Sequence, residues 1–204
     1  MMKRSSRLFL VILIAIFVSS CAGTYKPFYA EQFPYKEMKT ENEKFEYTTR
    51  QGVMFNTGNT KIAKKELKKG GYTLVAIKIV NKSDVPLPIK DFNFSCGGAN
   101  KITPISTEEY IKKSKQNACL YWLYAGLVAP NPFGKGNLKK VLPVGIVPAI
   151  TNFGIAVKAN KKMKKNIALY DLTNKVVQPN DTLIGVLPFK GIGNCGEIFL
   201  TTPY

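Results

Sequence analysis

Two hydrophobic grammars run along this chain. From Tyr72 to Val80, YTLVAIKIV, apolar and β-branched residues follow one another almost without a break. That run predicts a strand lying centrally in a sheet and covered on both faces. Asn81-Lys82-Ser83-Asp84 supplies turn chemistry after it. Pro86 and Pro88 predict an edge or irregular crossing, and Asp91 to Cys96 a further strand stopped by Gly97-Gly98. Upstream, Lys44 to Thr49 and Gly52 to Thr57 read as two short strands around a turn near Arg50-Gln51-Gly52. Lys61 to Lys69 reads as a basic link. Near the end, Gln178-Pro179-Asn180-Asp181 is a turn and Thr182 to Phe189 a strand, with Gly185 as a candidate bulge. Gly191 to Gly196 then reads as a hairpin turn and Glu197 to Thr201 as the last strand.

The middle of the chain follows the other grammar. Ser106 and Glu109 form a capping box, so a helix is predicted from Thr107 to about Ala129. Its first half carries Lys112, Lys113 and Lys115. Its second half, ACLYWLYAGLVA from Ala118, is apolar on every side. Pro130-Asn131-Pro132 and Gly134 break it. Val141 to Val157 is apolar again, interrupted by Pro143, Gly145, Pro148 and Gly154. A second helix is predicted to start near Pro148 or Asn152 and to run through Lys158, Lys161, Lys162, Lys164 and Lys165 to about Asp171.

Two readings fit this pair. In the favoured one both helices pack on the strands and on each other, because a helix apolar all round is a buried helix. In the other, residues 118–157 form a hairpin that faces a membrane or a protein partner. Tyr121, Trp122 and Tyr124 would then lie at the interface, with Lys158, Lys161 and Lys162 at head groups. Neither segment offers the roughly 20 clean apolar residues of a membrane span.

The N-terminus is a separate signal. Lys3, Arg4 and Arg7 precede an unbroken apolar run, Leu8 to Val18, followed by Ser19, Ser20 and Cys21. This order reads as an export leader. As a helix the run is about 16 Å long, too short to span a bilayer. Val18-Ser19-Ser20-Cys21 resembles the lipobox of bacterial lipoproteins. The resemblance covers the first 21 residues and implies cleavage before Cys21 and acylation of that cysteine. It implies a cell-envelope protein held to a membrane through the Cys21 lipid; Ala22, with no aspartate following the cysteine, points to the outer membrane.

The order of strand, NKSD turn, proline-containing crossing and strand over 72–96, and of QPNDT, strand, turn and strand over 176–201, resembles small immunoglobulin-like sandwiches of exported bacterial lipoproteins. It lacks the buried tryptophan and cysteine spacing of true immunoglobulin domains. The resemblance implies a mainly β fold: an immunoglobulin-like antiparallel β-sandwich with an inserted helical hairpin, α+β overall. The expected organisation is a leader over 1–20, a tether over 21–43 with scattered aromatics, and one domain over 44–204 with its helical insert at about 106–171.

Composition narrows the chemistry. Without Lys3, Arg4 and Arg7 the basic residues fall from 30 to 27 against 13 acidic ones, a net charge of +14. Arg50 is the sole arginine among them, so the charge is a diffuse lysine field. Bidentate recognition of phosphate or bases favours arginine, and no nucleic-acid partner is expected. The favoured reading of this charge is a lysine-rich solvated surface; the alternative is that it complements an anionic lipid or polymer surface. The chain contains no histidine. That removes Ser-His-Asp and Cys-His catalysis and the imidazole sites of most zinc enzymes. No metal, cofactor or catalytic residue is expected.

Three cysteines remain beside Cys21. Cys96 and Cys195 both sit next to glycines at predicted strand ends and form the favoured disulfide, with Cys96–Cys119 the runner-up. Cys119 reads as a buried thiol within the apolar helix. Asp84, Asp91, Asp171 and Asp181 all fall at turns or element ends, where aspartate serves the backbone. The function expected from these features is non-enzymatic: an envelope structural or protein-binding role, with an envelope protein as partner. The alternatives are a lipid-handling protein that uses residues 118–157 and a hydrolase built on a carboxylate pair.

Overall fold

The computed structural model describes residues 22–41, 43–68, 71–98, 100–130, 141–142, 145–193 and 195–202. The leader, Cys21, Asn131-Pro132 and Gly134 lie outside them. The fold is mixed α+β with substantial antiparallel sheet. It divides into two compact units: Gln116–Asn160 with the residues up to Thr24, and Tyr25–Lys115 with the residues from Lys161 onward.

The larger unit is β-rich. Its strands are β1 (Lys39–Glu41), β2 (Phe45–Arg50), β3 (Tyr72–Asn81), β4 (Leu87–Pro88), β5 (Asn93–Cys96) and β6 (Asn100–Ile102). After β7 (Ala129–Pro130) and β8 (Val141–Leu142) of the smaller unit, it resumes with β9 (Val176–Val177), β10 (Thr182–Lys190) and β11 (Ile198–Thr201). Among the described residues these form a four-stranded sheet β1-β2-β3-β10, a three-stranded sheet β11-β5-β6 and the pair β4-β9. Every pairing is antiparallel.

β3 is the centre of the first sheet. Its period of two sends Val75, Ile77 and Ile79 to one face, where they join Phe45 and Tyr47 of β2 and Leu187 and Phe189 of β10. Phe94 and Leu200 of the three-stranded sheet enter the same cluster, and Phe94 meets Phe189 edge-on at 5.3 Å. Leu74, Ala76 and Val186 point the other way and are also fully buried. Helices at Thr60–Glu66 and Thr107–Ser114 cover that side. Double coverage is the physical reason β3 reads as a continuous apolar run.

Four local expectations give way to other structure. Gly52–Thr57 is a helical turn, Val53–Asn56, not a strand. Gly52 enters it at φ 70°, a left-handed turn that breaks the extended backbone a strand needs, and the Asn56 N–H bonds back to the Gly52 carbonyl at 2.9 Å. The basic link is the helix Thr60–Glu66, whose Ile62, Ala63 and Glu66 share one buried face. Gly185 sits in unbroken register opposite Ile77, not in a bulge. A Cβ there would run into the Tyr170 carbonyl oxygen and the Leu172 side chain, so the glycine permits a close backbone approach. The predicted hairpin at 191–196 is a crossover instead: β11 pairs with β5, and no register joins it to β10.

Residues 25–35, read from sequence as part of a tether, are built into this unit. Tyr25, Phe28 and Ala30 are buried. They have no regular strand partner, so side-chain amides satisfy their backbone. Asn59 accepts from the Lys26 N–H at 2.9 Å and donates to its carbonyl at 2.8 Å. Asn166 does the same for Phe28, with both bonds at 2.9 Å, and accepts from the Tyr25 hydroxyl at 2.8 Å. Asn81 plays a similar part at the predicted NKSD turn, donating to the Val85 and Val177 carbonyls.

The structure joins Cys96 to Cys195, with Cα atoms 5.6 Å apart and a sequence separation of 99. Cys119, expected to be a buried thiol, is exposed and unpaired with either.

Two outcomes follow from this packing. Asn166→Ala, which removes three hydrogen bonds, lowers unfolding free energy by about 2–3 kcal/mol in urea titrations and opens the Phe28–Tyr29 bond to chymotrypsin. Cys96→Ser lowers it by about 2–5 kcal/mol, since the bridge closes a loop of about 100 residues in the unfolded chain.

Candidate interaction surface

The smaller unit contains Tyr121, Trp122, Tyr124 and Lys158 of the predicted interface, and the larger unit contains Lys161 and Lys162. The helix opening at Thr107 does not run to Ala129. Ser106 caps it through the Glu109 N–H at 3.2 Å, and it ends at Ser114. Gln116 cannot continue it, because Asn160 takes both of its backbone groups: the Gln116 N–H donates to Asn160 Oδ1 and the Gln116 carbonyl accepts from Asn160 Nδ2, each at 2.8 Å. Ala118–Gly126 is then a run of tighter 3₁₀ turns. The pair β7-β8 follows, and the long helix begins at Ile146, a little before the predicted start, and ends at Tyr170. Pro148 falls in its first turn, where a missing N–H costs nothing.

The favoured sequence reading, that these segments are buried, does not hold. No residue of Ala118–Gly126 is buried. Leu123 is 74% exposed and Trp122 49%, and Leu120 and Val128 are exposed as well. On the long helix Val147 is 73% exposed, with Ile146, Ile150 and Val157 also facing out. Up to Asn160 its buried stripe is Ala149, Asn152, Ala156 and Ala159 at three- and four-residue spacing, and Met163 and Ile167 continue it in the larger unit. In the smaller unit's part of the helix, alanines and an amide therefore face in and large apolar residues face out, the reverse of a normal soluble helix. The Trp122 and Phe153 rings meet at 5.7 Å, and Tyr121 stacks on Tyr124 at 6.3 Å. Tyr121 and Tyr124 are half-buried, while Lys158, Lys161 and Lys162 are exposed.

The chain beside Cys21 belongs to this unit. The Ala22 N–H donates to Asn152 Oδ1 at 2.8 Å. Gly23 exchanges two bonds with Gln116, its N–H to Oε1 at 3.0 Å and its carbonyl from Nε2 at 2.5 Å. Sequence reading passed over Gln116 and Asn160 and took Asn152 only as a candidate helix start. Asparagine is a poor helix residue, and Asn152 and Asn160 each serve a backbone elsewhere, whereas Gln116 carries no such signal.

Elsewhere the arrangement offers little for catalysis to use. One surface cleft of the β-rich unit is lined by Lys26, Phe28, Tyr29 and Phe33, and another by Lys90, Phe92, Lys101 and Ile102. A third presents Glu197 with Lys36 and Arg50. Glu197 is held below the usual carboxylate range by its hydrogen bond to Lys39, at 2.8 Å. Among the described residues no cluster of three His, Cys, Asp or Glu side chains could hold a metal ion. Glu66 carries the perturbed carboxyl. Burial pushes it up to about 7, against the opposing hydrogen bonds from the Tyr110 hydroxyl at 2.7 Å and the Leu74 N–H at 3.0 Å. These bonds tie the helices at 60–66 and 107–114 to β3, so the carboxyl serves the fold. The same burial, and the facing Glu66, raise the Tyr110 phenol.

No protein-family model matches the chain, and no curated protein or solved structure matches it either.

Glu66 sets a pH dependence. Its folded-state value lies above the ordinary 4.5, so its contribution to stability is complete below about pH 4.5 and is lost as pH rises through about 7. Glu66→Gln keeps an acceptor and cannot ionise. In urea unfolding at pH 5 and pH 8, the drop in stability of the native chain exceeds that of the variant by about 2–3 kcal/mol.

Proposed function

We propose that this chain is a lipid-anchored protein of the bacterial cell envelope, acylated at Cys21, with a structural or protein-binding role and no catalytic chemistry of its own. The observation that carries the reading is the placement of Ala22 and Gly23. The residues next to the candidate lipidated cysteine are hydrogen-bonded into a unit whose large apolar side chains face outward. An exposed apolar surface of that kind marks a contact site, not a free surface. The charged, apolar and small-residue order of Lys3–Cys21 supplies the export and anchoring signal. Ala22 directs the protein to the outer membrane. We read the β-rich unit as an immunoglobulin-like sandwich, supported by ring contacts across its core such as Phe45–Phe92 at 5.1 Å and Phe94–Phe189 at 5.3 Å.

Intact-mass measurement of the protein extracted from membranes tests this reading. The expected species begins at Cys21 and carries diacylglyceryl and amide-linked acyl groups. Cys21→Ser leaves the leader uncleaved and the mass unmodified. A soluble chain cleaved near residue 20 with a free Cys21 thiol contradicts the proposal.

A further inference from the structure

We infer that the outward apolar side of the 116–160 unit seats on the anionic surface of the bilayer that holds its own acyl anchor. The inference rests on acylation of Cys21 and adds what the unit does once anchored.

The first support is the short distance between lipid and surface. Cys21 is one peptide from Ala22, so their Cα atoms are about 3.8 Å apart. Ala22 is bonded to Asn152, and Gly23 twice to Gln116. No slack chain separates the acyl groups from this unit. Anchoring makes contact between the unit and lipid an intramolecular event at high effective concentration.

The second support is the pattern on the long helix. Ile146, Ile150 and Val157 lie on one exposed stripe, at i, i+4 and i+11, with half-buried Phe153 at i+7. Trp122 packs on that Phe153. Exposed Lys158 follows directly after Val157. That arrangement suits a helix lying in the interface, with aliphatic and indole groups at the acyl boundary and an ammonium group at a phosphate. The acyl anchor, one residue from Ala22, puts a bilayer and not a protein partner beside this stripe. No described helix is long and apolar enough to cross a membrane, so the contact is superficial.

Trp122 is the sole tryptophan of the chain, which makes the test direct. The acylated protein is reconstituted into phosphatidylcholine vesicles with and without phosphatidylglycerol, bearing doxyl-labelled acyl chains. Trp122 emission is expected to shift to the blue and to be quenched, more strongly with phosphatidylglycerol. Leu123→Glu with Val147→Glu abolishes both effects while the protein still floats with the vesicles. Both positions are about three-quarters exposed, so the far-ultraviolet circular dichroism and urea midpoint stay unchanged. Flotation with Trp122 unquenched overturns the inference and leaves the surface to a protein partner. A chain that mass measurement shows unacylated fails the anchoring proposal instead. Flotation of that chain with anionic vesicles then decides the seating alone: floating upholds it and remaining in the dense fraction overturns it.

Discussion

A single side-chain amide can satisfy both the N–H and the C=O of one backbone residue, and the start of this chain depends on that exchange. Gln116 does it for Gly23, Asn59 for Lys26 and Asn166 for Phe28. Each hydrogen bond is worth about 1 kcal/mol net, but leaving either group buried and unpaired would cost more. The exchange lets an irregular, aromatic-rich stretch lie buried without strand partners. Phe28 and Ala30 can then fill core positions.

The β-rich unit provides the rigidity that makes such a start worthwhile. β3 is flanked by β2 and β10 and covered on both faces, so its neighbours are fixed in register and in depth. Glu66 sits beneath it as a carboxyl that is neutral or costly, depending on pH. Its bonds to Tyr110 and Leu74 pin two helices to one strand. The bridge from Cys96 to Cys195 holds the three-stranded sheet at the end where β11 enters, and oxidising export is the setting in which such a bridge persists.

How much of this was legible depended on whether the signal was local. Tyr72–Val80 and Thr182–Phe189 announce themselves because β-branched residues in a continuous run suit only a covered strand. Ser106 with Glu109 marks a helix start to the residue. Gly52–Thr57 misleads because Gly52 turns the chain at positive φ, and alternation cannot express that. Gly185 looks like a bulge in isolation; its reason is the backbone of Tyr170 lying against it from far along the chain. The fate of residues 118–157 was the least legible. An apolar run says that water is unfavourable and does not say whether protein or lipid replaces it. Ala149, Ala156 and Ala159 show only that the chain does not cover the large side chains, since this part of the helix turns its alanines inward and leaves Val147, Ile150 and Val157 outside. Asn59, Asn166 and Gln116 were invisible because their partners lie 33, 138 and 93 residues away.

From Ala22 on, the N-terminal stretch is held to the fold by side-chain amides. That this stretch is no flexible segment is the central claim. Amide hydrogen exchange of the mature chain, read at Gly23, Lys26 and Phe28, tests it most directly. The account predicts slow exchange at all three, comparable with the edges of the β3 sheet, because each N–H is held by a side-chain amide. Exchange at the rate of an unstructured peptide would contradict it and would return the stretch to a free tether.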